Sequence, residues 1–229
     1  MRSAAKEKAR AAWFQVGDAA RLQLHHTPWW RHIYRDYRRY RAAGAPAVSA
    51  VLLSQGLWAS SLYRISCAAT RLPRWLRVLA APVLALAQKL AEVVTGISIP
   101  PACEIGEGLY IGHFGPIIVD EKVRMGHNCN IGQSVTLARS GTGDALGAPT
   151  IGNRVFIGAH SLIVGKVVVG DDAMICAGSV VTRSVPARAV VLGNPARVIS
   201  YEGSFGYVVY DRMEADAARQ ASISSTVLA

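Results

Sequence analysis

An aliphatic residue returns every six positions through the second half of this sequence. The series starts Ile99, Ile105, Ile111, Ile117, Val123; Cys129 holds the frame and Val135 continues it. It breaks over Ala138 to Thr150, a glycine-rich stretch, and resumes as Ile151, Ile157, Ile163, Val169, Ile175, Val181. A period of six does not fit the 3.6-residue stripe of an amphipathic helix. It fits short parallel strands joined by tight turns and wound into a triangular coil. The aliphatic residue fills the narrow prism. The fifth position, often small or β-branched (Cys103, Val155, Ser161, Val167, Ala173, Ser179), fits beside it. The thirteen hexads predict just over four coils, stacked about 4.8 Å apart at the spacing of paired strands. Each coil buries its apolar side only against its neighbours. The Asn-Gly and Asp-Gly turns of a hairpin-built β-sandwich are missing.

The first half reads differently. Residues 10–42 and 47–95 are rich in Ala, Leu and Arg, with breaks at Pro28, Gly44–Pro46 and Pro73, and Gly96 ends the last of several helices. The expected fold class is mainly β: a basic α-helical region over 1–97, a hexapeptide-repeat β-helix over 98–200 with an inserted loop at 138–150, and a C-terminal tail over 201–229. Within that tail, Met213 to Ser222 reads as a short helix. Hydrophobic residues make up 51% and charged residues 17% of the chain, which excludes a disordered protein. The most apolar unbroken stretch, Val78 to Ala87 with Pro82 inside it, falls short of the about 20 residues a spanning helix needs, so no span is expected. The charged N-terminus lacks the apolar core of a secretory leader. Cys67, Cys103, Cys129 and Cys176 form no close pair, so neither a metal site nor a redox dithiol is indicated. Reduced packing thiols and a cytoplasmic location follow as expectations.

Net charge is +10, and it is unevenly placed. Residues 1–97 carry 15 Lys/Arg against 4 Asp/Glu, a balance of +11, while residues 98–229 carry 10 against 11, a balance of −1. A basic half suits an anionic partner. No nucleic-acid recognition motif accompanies it, so nucleic acid is not the expected partner. Arg64, Arg71, Arg74 and Arg77 flank apolar stretches with Trp58 and Trp75, the pattern of interfacial helices. Peripheral contact with the inner membrane face is therefore one expectation, and a helical cap packed on the first coil and on other subunits is the alternative.

The repeat, together with Leu62-Tyr63-Arg64-Ile65, Ile105-Gly106-Glu107-Gly108 leading to His113, Gln133-Ser134-Val135-Thr136-Leu137, Ile157-Gly158-Ala159, Ala177-Gly178-Ser179-Val180-Val181 and Gly193-Asn194-Pro195-Ala196-Arg197-Val198, resembles the hexapeptide-repeat acyltransferases, serine O-acetyltransferase branch. The resemblance covers roughly Gln55 to Ile199. It implies a left-handed β-helix, a homotrimer and acetyl-CoA as co-substrate, and whether trimers pair further is left open. It also implies that His113, between Gly112 and Gly115, is the general base. A histidine with an ordinary pKa of about 6.5 is largely neutral at cytoplasmic pH and suited to that work. Glu121 matches a family glutamate and is the candidate to orient the ring; a surface carboxylate is the plain alternative. In the family the pantetheine arm lies between subunits against small residues of the later coils, here Gly158, Ala159, Ala177 and Gly178. Lys166, Arg183 and Arg197 are the candidate phosphate partners. No metal is implied.

The chain also departs from serine acetyltransferases. Ser98 and Gly112 stand at the positions of two family aspartates, and Gly147-Ala148 at the Arg-His pair that recognises serine. Without these groups a zwitterionic acceptor would be poorly paired, whereas a sugar hydroxyl makes no such demand. The stretch Ala80-Ala81-Pro82 through Ile99 and the altered loop resemble colanic-acid-type exopolysaccharide acetyltransferases. The closing Thr226–Ala229 lacks the final Ile with which serine acetyltransferases typically engage their partner sulfhydrylase. The leading expectation is an acetyl-CoA-dependent O-acetyltransferase acting on a sugar or polysaccharide precursor, free or lipid-linked. The alternatives are serine O-acetyltransferase of cysteine synthesis and a non-catalytic β-helix scaffold.

Overall fold

The computed structural model describes residues 28–210. The tail helix expected at Met213 to Ser222, and residues 10–27, lie outside them. The repeat forms a three-faced prism of parallel strands. The first face holds β1 (Ile97–Ser98), β4 (Ile117–Val119), β7 (Thr136–Ala138), β10 (Leu162–Val164) and β13 (Val180–Val181). The second holds β2 (Glu104–Ile105), β5 (Arg124–Met125), β8 (Thr150–Ile151) and β11 (Val168–Val169). The third holds β3 (Tyr110–Ile111), β6 (Asn130–Ile131), β9 (Phe156–Ile157), β12 (Met174–Ile175) and β14 (Val190–Gly193), closed by the antiparallel β15 (Ala196–Ser200).

Parallel register keeps like residues in columns. Ile111, Ile131, Ile157, Ile175 and Val191 line the inside of the third face, and Met125, Ile151 and Val169 that of the second, all fully buried. This corrects the repeat frame at one place. From Ile111 the next residue in the aliphatic column is Val119, which pairs with Leu137, and not Ile117. Met125, Ile131 and Leu137 then stand in register with Ile151, Ile157 and Ile163. Ile117, Val123, Cys129 and Val135 occupy the second inward row, two residues earlier, and are equally buried. Both rows point inward, so the slip was invisible in the aliphatic pattern. Its cause is two extra residues in the turn 112–116, the turn that carries His113. A shorter final turn brings Val185 beside Val169 and Val191 beside Ile175, which ends the period of six after Val181.

Four helices precede the prism: α1 (Trp29–Ala42), α2 (Ala47–Leu53), α3 (Gln55–Ala69) and α4 (Arg74–Thr95). Pro28, Pro46 and Pro73 stand at the N-caps of α1, α2 and α4, where a missing N–H costs nothing. Gly96 ends α4 in the left-handed conformation, φ +70°, which a Cβ would disfavour. The expectation of no membrane-length helix needs correction. α4 is long and apolar enough, by length and composition, to cross a membrane. An unbroken apolar run missed it because Arg77, Gln88 and Lys89 interrupt the run without interrupting the helix.

The helices grip the first coil through buried polar contacts. Asp36 of α1 and Arg64 of α3 pair at 3.0 Å with both side chains buried. The Asp36 carboxylate also accepts the N–H groups of Gly108 (2.8 Å) and Leu109 (2.9 Å). Arg64 donates to the carbonyls of Ile105 and Gly106. Complete burial pushes the Asp36 carboxyl above its ordinary value, against the opposing pull of Arg64 and the two amides. Tyr63 donates to the Cys103 carbonyl at 2.9 Å. On the third face, Arg39 donates to the Gly108 carbonyl (3.0 Å) and to Asn130 Oδ1. Asn130 in turn donates to the Tyr207 carbonyl at 3.1 Å.

Candidate active site

Three edges join the three faces. The chain passes from the third face to the first at 112–116, at Gly132-Gln133-Ser134, at Gly158-Ala159-His160 and at Cys176-Ala177-Gly178. These turns form one column. The His160 N–H donates to the Gln133 carbonyl at 2.9 Å, and the Gly178 N–H to the Ala159 carbonyl at 2.8 Å. His113 stands exposed at the start of the column. At about 4.8 Å per coil, Ala159 lies about 10 Å along the edge from the level of His113, and Ala177 about 14 Å. The structure therefore brings together His113 and the small residues chosen from sequence.

Those small residues do not all do the same thing. Ala177 and Gly178 are exposed, and nothing lies within 4 Å of where a Gly178 Cβ would stand. Ala159 is half-buried. Gly158 is a correction: it is buried, and a Cβ there would stand 2.5 Å from the Ala177 backbone nitrogen. It lets one coil sit on the next and does not line the groove. Arg197 is exposed on β15, opposite Leu192, beside the turn that closes this same edge.

Lys166 and Arg183 lie elsewhere. Both are exposed on the edge from the first face to the second, with Glu121 and the inserted loop. The structure does not bring Glu121 to His113 within one chain, because the width of the first face separates their edges. Glu121 instead neighbours Cys103, whose thiol burial pushes up to about 12 with added repulsion from Cys67, Asp120 and Glu121. The buried Cys129 thiol is likewise pushed up to about 12, chiefly by burial, in keeping with a packing role.

The positions that depart from serine acetyltransferases also have a structural reading. Ser98 donates to Glu92 Oε1 at 2.9 Å, so its hydroxyl is engaged by α4. Burial pushes the Glu92 carboxyl up, but hydrogen bonds from Lys89 and Ser98 outweigh it and hold the group below its ordinary value. A Cβ at Gly147 would stand 2.7 Å from the Lys166 Cβ, so the folded loop leaves no room for a side chain there. Gly112 differs: a Cβ would meet the Tyr110 ring at an ordinary 3.4 Å.

Sequence reasoning missed how the His113 turn is held. The Tyr40 hydroxyl donates to the Ile111 carbonyl at 3.0 Å, and the Tyr40 and Tyr110 rings pack with centroids 4.8 Å apart. Gly56 of α3 lies so close to this strand that a Cβ would be 2.4 Å from the Ile111 oxygen. From the other side, Thr95 of α4 accepts the Gly115 N–H at 3.1 Å, and Gly96 accepts the Ile117 N–H at 3.0 Å. Two helices and α4's last residues thus bracket the catalytic candidate. The only sequence signal was the glycine at 56, which has no helical purpose. The remaining histidines have separate places: His127 lies on the third edge and accepts the Glu107 N–H at 3.2 Å, while His160 is exposed on the His113 edge.

Residues 148–183 match the family model "Bacterial transferase hexapeptide (six repeats)". The serine acetyltransferase of Synechococcus elongatus is 36% identical over 134 residues, 58% of this chain and 55% of the relative. Serine acetyltransferase 2 of Arabidopsis thaliana is 37% identical over 171 residues, 74% of this chain and 50% of the relative. The chain spans about half the length of these curated relatives. Among solved structures, soybean serine acetyltransferase complexed with serine aligns with a TM-score of 0.66 at 31% identity, covering 75% of this chain and 69% of that one. A serine acetyltransferase complex with CoA aligns with a TM-score of 0.64 at 29% identity, covering 74% and 68%. The prism is thus the left-handed parallel β-helix of these proteins, preceded by a helical region, and the chain belongs to the hexapeptide-repeat transferase family.

Proposed function

We propose that the chain is an acetyl-CoA-dependent O-acetyltransferase in which His113 removes the proton of the acceptor hydroxyl. One observation carries this reading: His113 shares an open edge with Ala159, Ala177 and Gly178. Bound acetyl-CoA would supply an activated acetyl thioester. The small side chains leave room for its pantetheine arm along the edge, and Arg197 stands beside the edge's far end to meet phosphate. No nucleophilic residue or metal is needed for transfer from a thioester to a hydroxyl. The exposed His113 ring has only to accept one proton at an imidazole nitrogen.

The remaining candidates suggest how the site is completed. The first face carries an uncharged outward row, Ser98, Ile118, Thr136, Leu162 and Val180, between the His113 edge and the edge bearing Lys166 and Arg183. In a cyclic trimer with that face toward the axis, each His113 edge meets the other edge of the next subunit. Lys166 and Arg183 would then face the groove from the neighbour. Glu121 would approach the neighbour's His113, the one arrangement in which it has an orienting role.

The acceptor has two readings. The names of the relatives support serine. A second reading, an uncharged sugar hydroxyl, is favoured by a specific observation: the room for a charged side chain at Gly147 is filled by Lys166, and Ser98 is turned to Glu92. Thiol release from acetyl-CoA with a panel of acceptors tests both. Saturable turnover with L-serine assigns serine; turnover with sugar hydroxyls and none with L-serine assigns the second. Thiol release with no acceptor in either class contradicts the transferase reading.

A further inference from the structure

α4 leaves the longest row of exposed apolar side chains of any helix among the described residues. Its one buried residue is Thr95. Leu79 (67% exposed), Val83 (67%), Leu86 (63%) and Val93 (83%) recur at helical spacing with Trp75 and Leu90 and form an apolar stripe along the outward side. The stripe continues sideways into a groove of about 660 Å³ between α3 and α4, lined by Trp29, Ile65, Leu72 and Val83. An apolar surface of this extent marks an interaction site. Its surroundings say with what. Arg71, Arg74 and Arg77 cluster at the N-terminal end of α4, and Lys89 stands near the other end. The helix has one acidic residue, Glu92, and it is committed to Lys89 (2.6 Å) and Ser98.

We propose that α4 is a docking surface for an anionic lipid bilayer, lying in its interface with the apolar stripe down and the basic end against lipid phosphates. Aliphatic and Trp side chains enter the acyl boundary while Arg and Lys stems reach the headgroups. A second copy of the chain is a poorer fit. A two-fold contact between these helices brings arginine clusters into play without carboxylates to meet them. A transmembrane placement does not fit either. The last residues of α4 lead directly into β1, and α4 packs along α3, whose Tyr63 and Arg64 are bonded to the first coil. The helix therefore lies beside the prism and cannot cross a bilayer without taking α3 with it. Membrane contact at α4 would set the His113 edge close to the bilayer, because the Thr95 carbonyl already binds Gly115, two residues beyond His113.

The test is flotation of the full chain with phosphatidylcholine vesicles and with vesicles that also contain phosphatidylglycerol, beside sedimentation mass in solution. Flotation is expected with the anionic vesicles, weakened by salt. The pair Leu79→Asp with Val83→Asp should cut vesicle binding at least about tenfold with no change in mass. Arg74→Glu with Arg77→Glu should remove the preference for anionic vesicles. The proposal is overturned if the wild-type chain does not float, if it floats equally with both vesicle types, or if the Asp pair lowers the mass, which would assign the stripe to a second copy. The readout is binding alone, so it stands or falls apart from acetyl transfer.

Discussion

At the scale of single residues, the proposed site rests on His113. Its exposure and its place in the enlarged turn leave the ring free to meet an acceptor. His113→Ala should lower acetyl transfer by at least about 10²-fold with coenzyme affinity little changed, since a general base contributes roughly 10²–10⁴-fold. Steady-state kinetics with coenzyme binding measured separately check this, and near-normal turnover would remove His113 from the chemistry. A bulky side chain on the edge should do the reverse. Ala177→Trp places a ring on the exposed side of this edge, at a residue whose backbone is not left-handed, so it should raise the KM for acetyl-CoA by at least about tenfold while leaving the fold intact. The exposure of His113 was legible in the sequence, because a histidine between glycines in a turn is exposed by construction, whereas its proposed role rests on the family resemblance. Gly158 was misread because turn glycines that admit a ligand and turn glycines that admit the next coil look alike. Only the 2.5 Å approach to Ala177 separates them. That Glu121 stands on a different edge from His113 was not legible, because spacing along the chain does not report which edge a turn occupies.

Secondary-structure elements were legible to different depths. The aliphatic period gave the strands, and Pro28, Pro46, Pro73 and Gly96 marked the helix ends. The phase slip was hidden because both inward rows are apolar. The way α1 and α3 clamp the first coil was not legible at all, since Asp36 meets Gly108 and Arg64 meets Ile105 only through tertiary folding. That clamp makes a sharp expectation. Asp36→Ala leaves the Arg64 guanidinium buried without its counter-charge and the Gly108 and Leu109 amides without their acceptor. Urea unfolding should show a loss of about 3–5 kcal/mol; a loss under about 1 kcal/mol would mean that the clamp contributes little. α1 also carries a pH dependence. His32 is 5% exposed, and neither ring nitrogen has a hydrogen-bond partner among the described residues. Burial first, then the charges of Arg64 and Arg71, push its pKa down to about 4. The unfolded chain therefore takes up this proton before the folded one does. The stability from keeping His32 neutral is complete above about pH 6.5 and is lost as pH falls toward 4. His127 shifts in the same direction, also chiefly through burial. His32→Leu should flatten the fall in stability over that window, and an unchanged slope would contradict the burial of a neutral ring.

On the scale of the whole molecule, the candidate groups sit on two edges of one prism, and a single chain cannot close them around a coenzyme. The proposed arrangement is a homotrimer with three equivalent sites, for which sedimentation should give about three times the 24.5 kDa chain mass, or six times if trimers pair. The most direct test of the shared site is complementation between subunits. His113→Ala disables one edge, and Lys166→Glu combined with Arg183→Glu disables the other. Each variant alone should be nearly inactive in thiol release from acetyl-CoA. When the two are unfolded together and refolded as an equal mixture, random assembly leaves about one interface in four with both edges intact, by the symmetry of a cyclic trimer. The account predicts recovery of about a quarter of wild-type activity. A mixture no more active than the average of its two parents would contradict it.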